Sequence, residues 1–310
     1  MRFPGTAKYG IYCDSFFLDG KTPWTVSDDA EVLPLACSES DQLVVNWEEV
    51  SEEPWKSEFY RLKGLIEDGH LNKAVPVICE TGKVLKGDPA QMLMNRTSSG
   101  CGRFFLHASQ ETGMVGVTPE RLFSIEGNQL KTAALAGTAR REDAARLLTS
   151  PKEMNEHRFV TEFIVQALER YGAVDCGSTG ILEVGGLAHL STPITLAFRD
   201  RYDWRSGINE LISALHPTPA VGVSPRTEET MAELRTMRNA LGVPAGFGAP
   251  VGYLMEDKCE IFVAIRCLFW RGDRVFLPAG AGIVRESTAE RELAELRLKR
   301  DAVKQILGLR

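Results

Sequence analysis

An α+β fold dominated by antiparallel sheet is what this sequence predicts, and three observations point to it. Segments of strand character come in runs, with FFLHA, MVGV, RLFSIEG and LKTAALA following one another between residues 104 and 136. Helical patterns fall at irregular intervals, whereas a doubly wound parallel sheet needs a helix after nearly every strand. Hydrophobic residues make up 44% of 310, enough to bury a substantial core.

The elements follow in order. Short strands are predicted at 9–13 and 42–47, separated by turn-rich sequence. Residues 54–68 carry Trp55, Phe59, Leu62, Leu65 and Ile66 at helical spacing and end at Gly69. A strand over 73–80 comes next, and then the four strand segments above, with a turn at Gly127-Asn128. Ser150-Pro151-Lys152-Glu153 reads as a capping box with proline at the first helical position, opening a helix to about residue 170. Further strands are predicted at 180–185, 189–198, 251–255, 260–270 and 274–280, with helices at 205–214 and 227–240. A second capping box, Ser287-Thr288-Ala289-Glu290, opens a last helix running to about residue 307. No repeat or low-complexity linker interrupts this order, so residues 1–310 read as one domain, with 1–50 leading into a core over 51–310.

A net charge of −6 and a pI near 5.6 argue against a general nucleic-acid surface, which needs a basic face. A small anionic ligand stays compatible, provided positive charge is concentrated locally by a metal, a few Lys or Arg side chains or backbone N–H groups. The seven cysteines are scattered and contain no CxxC pair, so neither a disulfide framework nor a thiolate zinc site is expected. The opening residues lack the apolar core of a secretory leader, and no run of about twenty apolar residues suggests a membrane span. A reducing cytoplasm is the expected location, with no membrane or nucleic-acid partner.

Two acidic pairs stand out. Glu153 and Glu156 are three apart at one helix start, and Glu292 and Glu295 are three apart near another, so each pair shares a helical face. Should the two starts converge, four carboxylates would surround one point, a donor set suited to Mg²⁺ with some ligands acting through water. Spacing alone leaves the plainer reading open, because acidic residues in a first turn also balance the helix dipole. Lys299, four after Glu295, reads equally as a surface ion pair. The stretch AGAGIV (279–284) lets backbone N–H groups approach an anion closely. LAGT (135–138) is ambiguous by itself. HPTPAVG (216–222) uses two prolines to hold Thr218 in place. Taken singly, His189 and His216 read as structural histidines.

Together, eight short stretches in one order resemble the chorismate-utilising enzymes, the isochorismate, salicylate, anthranilate and aminodeoxychorismate synthases. They are GVTPERL (116–122), KTAALAGTARR (131–141), PKEMNEH (151–157), HLST (189–192), LHPTPAVG (215–222), APVGY (249–253), FVAIR (262–266) and AGAGIVRESTAERELAELRLK (279–299). The resemblance covers roughly residues 55–305. It implies a large, mostly antiparallel β-sheet sandwich with helices packed outside, here shortened at the N-terminus. It also implies Mg²⁺ held directly by Glu156 and Glu295, with Glu153 and Glu292 reaching metal-bound waters. The metal would hold the ring carboxylate of chorismate, and Arg266 the enolpyruvyl carboxylate, a geometry suited to a planar guanidinium. Gly137, Thr138 and Gly280 would contact substrate, partly through the backbone, Lys299 would add charge, and His189 and Thr218 would line the ring pocket. One departure is Phe247, which stands where many relatives carry a carboxylate-binding Tyr.

Within the resemblance, Lys73 occupies the position where ammonia-using members carry Gln, and Ala136 the position of a nucleophilic Lys in the aminodeoxychorismate enzymes. Both imply water as nucleophile and no glutaminase subunit. Lys73 is the expected base that activates water for addition at C2, and Glu120 the acid that protonates the departing C4 hydroxyl. An ordinary Lys is neutral roughly once in a thousand molecules at about pH 7.4, about 4 kcal/mol of penalty for a base, so the site is expected to perturb both groups. The activity implied is isochorismate synthase, of the kind that serves menaquinone or siderophore biosynthesis. Salicylate synthase, an ammonia-dependent synthase component and a non-catalytic chorismate-binding protein are the alternatives.

Overall fold

The strand segments sort into two antiparallel sheets in the computed structural model, which describes residues 8–28, 43–90, 103–109, 111–184, 186–200 and 202–309. Strands β1 (Tyr9–Cys13), β2 (Trp24–Ser27) and β3 (Val44–Trp47) precede helix α1 (Glu53–Glu67). Strands β4 (Lys73–Ala74), β5 (Val77–Lys86), β6 (Arg103–Ala108), β7 (Thr112–Thr118), β8 (Arg121–Glu126) and β9 (Gln129–Arg140) follow, then helices α2 (Ala144–Leu147) and α3 (Pro151–Glu169). Strands β10 (Gly172–Cys176), β11 (Gly180–Val184) and β12 (Leu187–Phe198) lead to α4 (Trp204–Leu215), β13 (Val223–Ser224) and α5 (Glu228–Ala240). Strands β14 (Pro250–Met255), β15 (Lys258–Val263), β16 (Cys267–Arg271) and β17 (Arg274–Gly280) and helix α6 (Ala289–Leu307) complete the order.

The larger sheet runs β10-β12-β9-β8-β15-β14-β1-β2, with β11 also paired to β12, and the smaller runs β3-β5-β17-β16-β7-β6. A short ladder, β13-β4, stands apart from both. The predicted α+β, mostly antiparallel architecture is the observed one. The sheets face each other through Met114 of β7, packed with Val251 of β14, Phe262 of β15 and Ala264. On the other side of the larger sheet, Phe123, Leu130, Ile194 and Leu196 meet Val160, Ile164 and Leu168 of α3 and Ile208 and Leu211 of α4. Each such side chain contributes about 1.5–3 kcal/mol by leaving water.

Tertiary pairing corrects several sequence expectations. The strand foreseen over 73–80 is broken: β4 pairs with β13, while β5 starts at Val77 and pairs with β17. Pro76, lacking an N–H, separates them, and its carbonyl accepts from Ala281. The strand foreseen over 260–270 is two strands in different sheets. Its backbone turns at Arg266, whose φ of 54° is left-handed, and this kink carries the chain from β15 to β16. No capping box forms at Ser287. The N-cap of α6 is Thr288, without a side-chain cap bond, and Ser287 Oγ instead accepts from Val284 N at 3.1 Å. At α3 the box is half formed: Ser150 Oγ accepts from Glu153 N at 3.4 Å, while the Glu153 carboxylate pairs with Lys152. Strands β2 and β10 and the single-turn α2 were not foreseen, and Gln42 and Gly185 lie outside the described residues.

Two features carry the fold towards chemistry. Helix α3 packs on β9, β10 and β12, and α6 packs on β17 and β7, so the sandwich brings the N-terminal turns of two distant helices together. Both helices also carry charge on the stripe they bury: Glu156 stands with His157, Val160 and Ile164 in α3, and Glu292 with Leu293, Leu296 and Arg300 in α6. Buried carboxylates at such positions need partners.

Candidate active site

Those partners are lysines. Lys152 Nζ lies 3.2 Å from Glu153 Oε1, 3.6 Å from Glu156 Oε2 and 3.0 Å from Glu292 Oε1, so one ammonium joins the two helix starts. Lys73 Nζ, fully buried on β4, lies 2.9 Å from Glu156 Oε1. Lys299 Nζ pairs with Glu295 Oε1 at 2.7 Å and donates to the Gly280 carbonyl at 2.8 Å. The four glutamates foreseen as a cage do converge.

Their electrostatics differ in a readable way. Burial alone would raise the Glu156 carboxyl, but Lys73 and Lys152 outweigh it and bring it down to about 2. Glu292 is pushed up to about 7 by burial, with Glu295 and Glu156 adding to the rise against Lys152. Glu153 is also raised, again chiefly by burial. Burial works against the Lys152 ammonium, but the surrounding glutamates, Glu156 first, hold it far above the usual lysine range.

The donor set suits a hard divalent cation. Carboxylate oxygens are the ligands Mg²⁺ prefers, and Glu153 Oε2 is buried without a hydrogen-bond donor, while buried Glu292 meets the Lys152 ammonium through Oε1. Glu156 and Glu295 line the neighbouring cavity, whereas Glu153 and Glu292 stand behind it. Among the described residues no three His, Cys, Asp or Glu side chains stand together at metal-binding separation, because these carboxylates are spread around an ammonium.

The cavity encloses about 730 Å³ including its open mouth. Val75, Leu135, Val221, Phe247 and Ile265 give it apolar walls, while Glu120, Glu156, His189, Arg266, Glu295 and Lys299 supply charge or hydrogen bonds. An apolar cavity with a few convergent polar groups is the usual form of a small-molecule site. Gly137, Thr138 and Gly280 are also in its wall.

One wall is built by a β-bulge. Between Ala188↔Ala139 and Leu190↔Ala136, Gly137 and Thr138 together oppose His189. Gly137 takes the left-handed φ of 69° that the bulge requires, and a Cβ there would come 2.9 Å from Glu153 Oε2. His189 Nδ1 then faces the Gly137 carbonyl at 2.9 Å, with Thr138 Oγ1 at 3.3 Å. Since a carbonyl only accepts, Nδ1 carries the proton, and Nε2 accepts from Arg266 Nη2 at 3.2 Å. Burial, reinforced by Arg266, pushes the imidazole down to about 3 and keeps it neutral. Burial likewise lowers the Arg266 guanidinium to about 10, against the pull of Glu295.

Glu120, also in the wall, is buried in the turn between β7 and β8, with its backbone N–H bonded to Thr118 Oγ1 and its C=O to Val263 N. Burial raises its carboxyl to about 7, although Lys73, the Thr218 hydroxyl and Lys299 all oppose the rise. At neutral pH this carboxyl can hold a proton or release one.

Some expectations need revision. Thr218 is not in the cavity wall; it stands behind Glu120 and donates to Oε1 at 3.4 Å. Lys73 also lies behind the wall, directed at Glu156. His216, read from sequence as a structural histidine, is one, with Nε2 donating to the Phe16 carbonyl at 2.7 Å. The glycine-rich stretch does not present a row of free N–H groups, since Ala281 N bonds Pro76 O and Ile283 N bonds Ala74 O. Its glycines provide clearance instead: a Cβ on Gly282 would lie 2.1 Å from Glu156 Oε1. Sequence reasoning singled out neither Gly282 nor Lys152, because an exposed first-turn lysine and a glycine in a turn are the ordinary reading of those patterns.

Comparison with known proteins gives the family and the fold. The chorismate binding enzyme family pattern matches residues 27–308. The salicylate biosynthesis isochorismate synthase of Pseudomonas aeruginosa is 32% identical over 267 residues, 82% of this chain and 54% of the relative. The isochorismate synthase EntC of Escherichia coli is 33% identical over 209 residues, 63% of this chain and 51% of the relative. The crystal structure of DhbC from Bacillus anthracis superposes with a TM-score of 0.79 at 25% identity, covering 97% of this chain and 84% of that one. The chain thus spans about half the length of these curated relatives. With the family pattern extending over nearly all of the sequence and the fold matching, this chain belongs to the chorismate binding enzyme family.

Proposed function

We propose that this protein is a Mg²⁺-dependent isochorismate synthase that adds water to C2 of chorismate with loss of the C4 hydroxyl. The observation that carries this reading is Glu120: a carboxyl raised to about 7 by burial, in the wall of a cavity that Arg266, Lys299, Glu156 and Glu295 also line. A proton donor of that strength is what departure of a hydroxyl at neutral pH requires.

Chorismate carries two carboxylates and an apolar ring. Arg266, oriented by His189, is suited to one carboxylate in a bidentate contact. A magnesium ion held by Glu156 and Glu295, with Glu153 and Glu292 acting through its waters, would supply the positive charge that fixes the other. Val75, Leu135, Val221 and Ile265 would enclose the ring and exclude bulk water. Lys73, neutral and turned from Glu156 towards the cavity, takes the proton of the attacking water as its oxygen bonds to C2. The ring double bonds shift, the C4–O bond breaks, and Glu120 delivers the proton that lets the hydroxyl leave as water. One water enters and one departs, so substrate and product are isomers. Lys73 ends protonated and Glu120 ionised, and proton exchange resets both. Ala136, where aminodeoxychorismate-type relatives place a nucleophilic lysine, supports water as nucleophile.

The test is incubation of the purified protein with chorismate and Mg²⁺, with and without ammonia, and product identification by NMR. Isochorismate alone is expected. Salicylate with pyruvate would assign the second elimination to the same site, an ammonia-dependent product would assign an amination, and unchanged chorismate would leave a binding protein. Lys73→Ala is expected to lose water addition while still binding chorismate in the presence of Mg²⁺; near-normal turnover in that variant overturns its assignment as the base.

A further inference from the structure

The position of Lys152 is unusual for a residue at the second position of a helix, where a positive charge opposes the dipole and normally turns to solvent. Its side chain is only 12% exposed, and its ammonium touches three of the four glutamates of the cage, from both helices. The fourth, Glu295, is taken by Lys299. A magnesium ion held by Glu156 and Glu295 would set its waters against Glu153 and Glu292, the two carboxylates that the Lys152 ammonium now meets at 3.2 and 3.0 Å, with Glu156 Oε2 at 3.6 Å. The hydrated ion and the ammonium would compete for those carboxylates. Lysine also has the right build to leave, because its flexible four-carbon stem can swing outwards where a rigid guanidinium fork would resist.

We propose that Lys152 is a built-in counter-cation that holds the glutamate cage assembled in the absence of metal and is displaced when a divalent ion enters. This rests on the reading of Glu153, Glu156, Glu292 and Glu295 as the divalent site. Without that ammonium, Glu153 and Glu292 would lose the cation they share and, with Glu156 beside them, would repel and drive the starts of α3 and α6 apart. Lys152 prevents that, at the cost of competing with the ion, so the apparent metal affinity is reduced by the share of molecules in which the lysine occupies the cage. The site thereby stays preformed, and metal uptake requires only a side-chain movement.

The test compares wild-type protein with Lys152→Met, which keeps the stem and removes the charge. Isothermal titration with MgCl₂ is expected to show binding about tenfold tighter in the variant. Thermal unfolding in EDTA is expected to give a lower Tm for the variant, with a larger upward shift on adding Mg²⁺. Equal or weaker Mg²⁺ binding by a folded Lys152→Met protein overturns the proposal while leaving the metal reading intact. Failure of both proteins to take up Mg²⁺, Mn²⁺ or Ca²⁺ removes the metal reading and this inference with it. A second measurement needs no variant: acetylation of wild-type lysines, read by peptide mass spectrometry, is expected to show Lys152 labelled several-fold faster with Mg²⁺ than with EDTA. Unchanged or slower labelling of Lys152 overturns displacement.

Discussion

Gly282 and Glu156 stand so close that residue 282 has no room for a side chain: a Cβ there would come 2.1 Å from Glu156 Oε1 and 2.8 Å from Lys73 Cε. A small residue in one loop thus makes space for the buried Lys73–Glu156 ion pair. In Gly282→Ala the added methyl would push the Glu156 carboxylate off Lys73, and overpacking of this kind costs about 1–3 kcal/mol. Catalysis is expected to suffer more than stability. A Tm drop of a few degrees with a kcat loss above about tenfold is the expected outcome in thermal unfolding and steady-state assays; unchanged kcat would mean that the pair tolerates displacement.

Glu120 sets the expected pH dependence. Its folded value of about 7 lies above the ordinary 4.5, so the protonated, acid-competent form is present below that value and lost above it. The basic limb of the kcat/KM profile is expected to fall as pH rises through about 7, and Glu120→Gln is expected to remove activity at every pH. Linkage gives a second readout. Because the folded carboxyl is raised, its stabilising contribution is complete below about pH 4.5 and disappears as pH rises through about 7, on the order of 3 kcal/mol in all. Glu120→Gln is expected to be more stable than wild type at pH 8, by denaturant titration, with the difference gone at pH 4.5.

His189 is expected to act through Arg266. In His189→Phe the guanidinium loses its acceptor and the Gly137 carbonyl its donor, each buried. Hydrogen bonds to charged groups are worth about 1.5–3 kcal/mol, so KM for chorismate is expected to rise about ten- to hundredfold with a smaller change in kcat. His189→Gln, which can donate or accept at similar reach, is expected to recover part of the loss. A fall confined to kcat would point to direct contact with the reacting atoms instead.

Helix α1 clasps the loop that leads into α6. Lys63 Nζ donates to the carbonyls of Val284, Arg285 and Ser287, while Arg285 donates back to the carbonyls of Ile66 and Glu67 at the helix C-terminus. Lys63→Met is expected to destabilise the fold by about 1.5–3 kcal/mol and to weaken Mg²⁺ binding, because Glu292 and Glu295 follow that loop. Calorimetric titration and denaturant unfolding read the two effects separately.

Much of the site was readable before any coordinates. Glu153, Glu156, Glu292 and Glu295 form a local pattern of carboxylates three apart at helix starts, but spacing fits a helix-dipole role equally, and it was the resemblance to the chorismate-utilising enzymes that marked them as a metal set. The antiparallel α+β class followed from the runs of strand segments, and the turn at Gly127, with its φ of 58°, from residue type alone. What could not be read is whatever depends on pairing between remote segments. The split of 260–270 between two sheets is set by the neighbours of β15 and β16, and the bulge at Gly137 by its register with β12. Lys152 shows the limit most plainly. In one dimension it is a polar residue in a first helical turn, destined for solvent. The sandwich brings Glu292 of α6 to within 3.0 Å of it, and only that convergence of two helices turns an ordinary lysine into the centre of a buried cage.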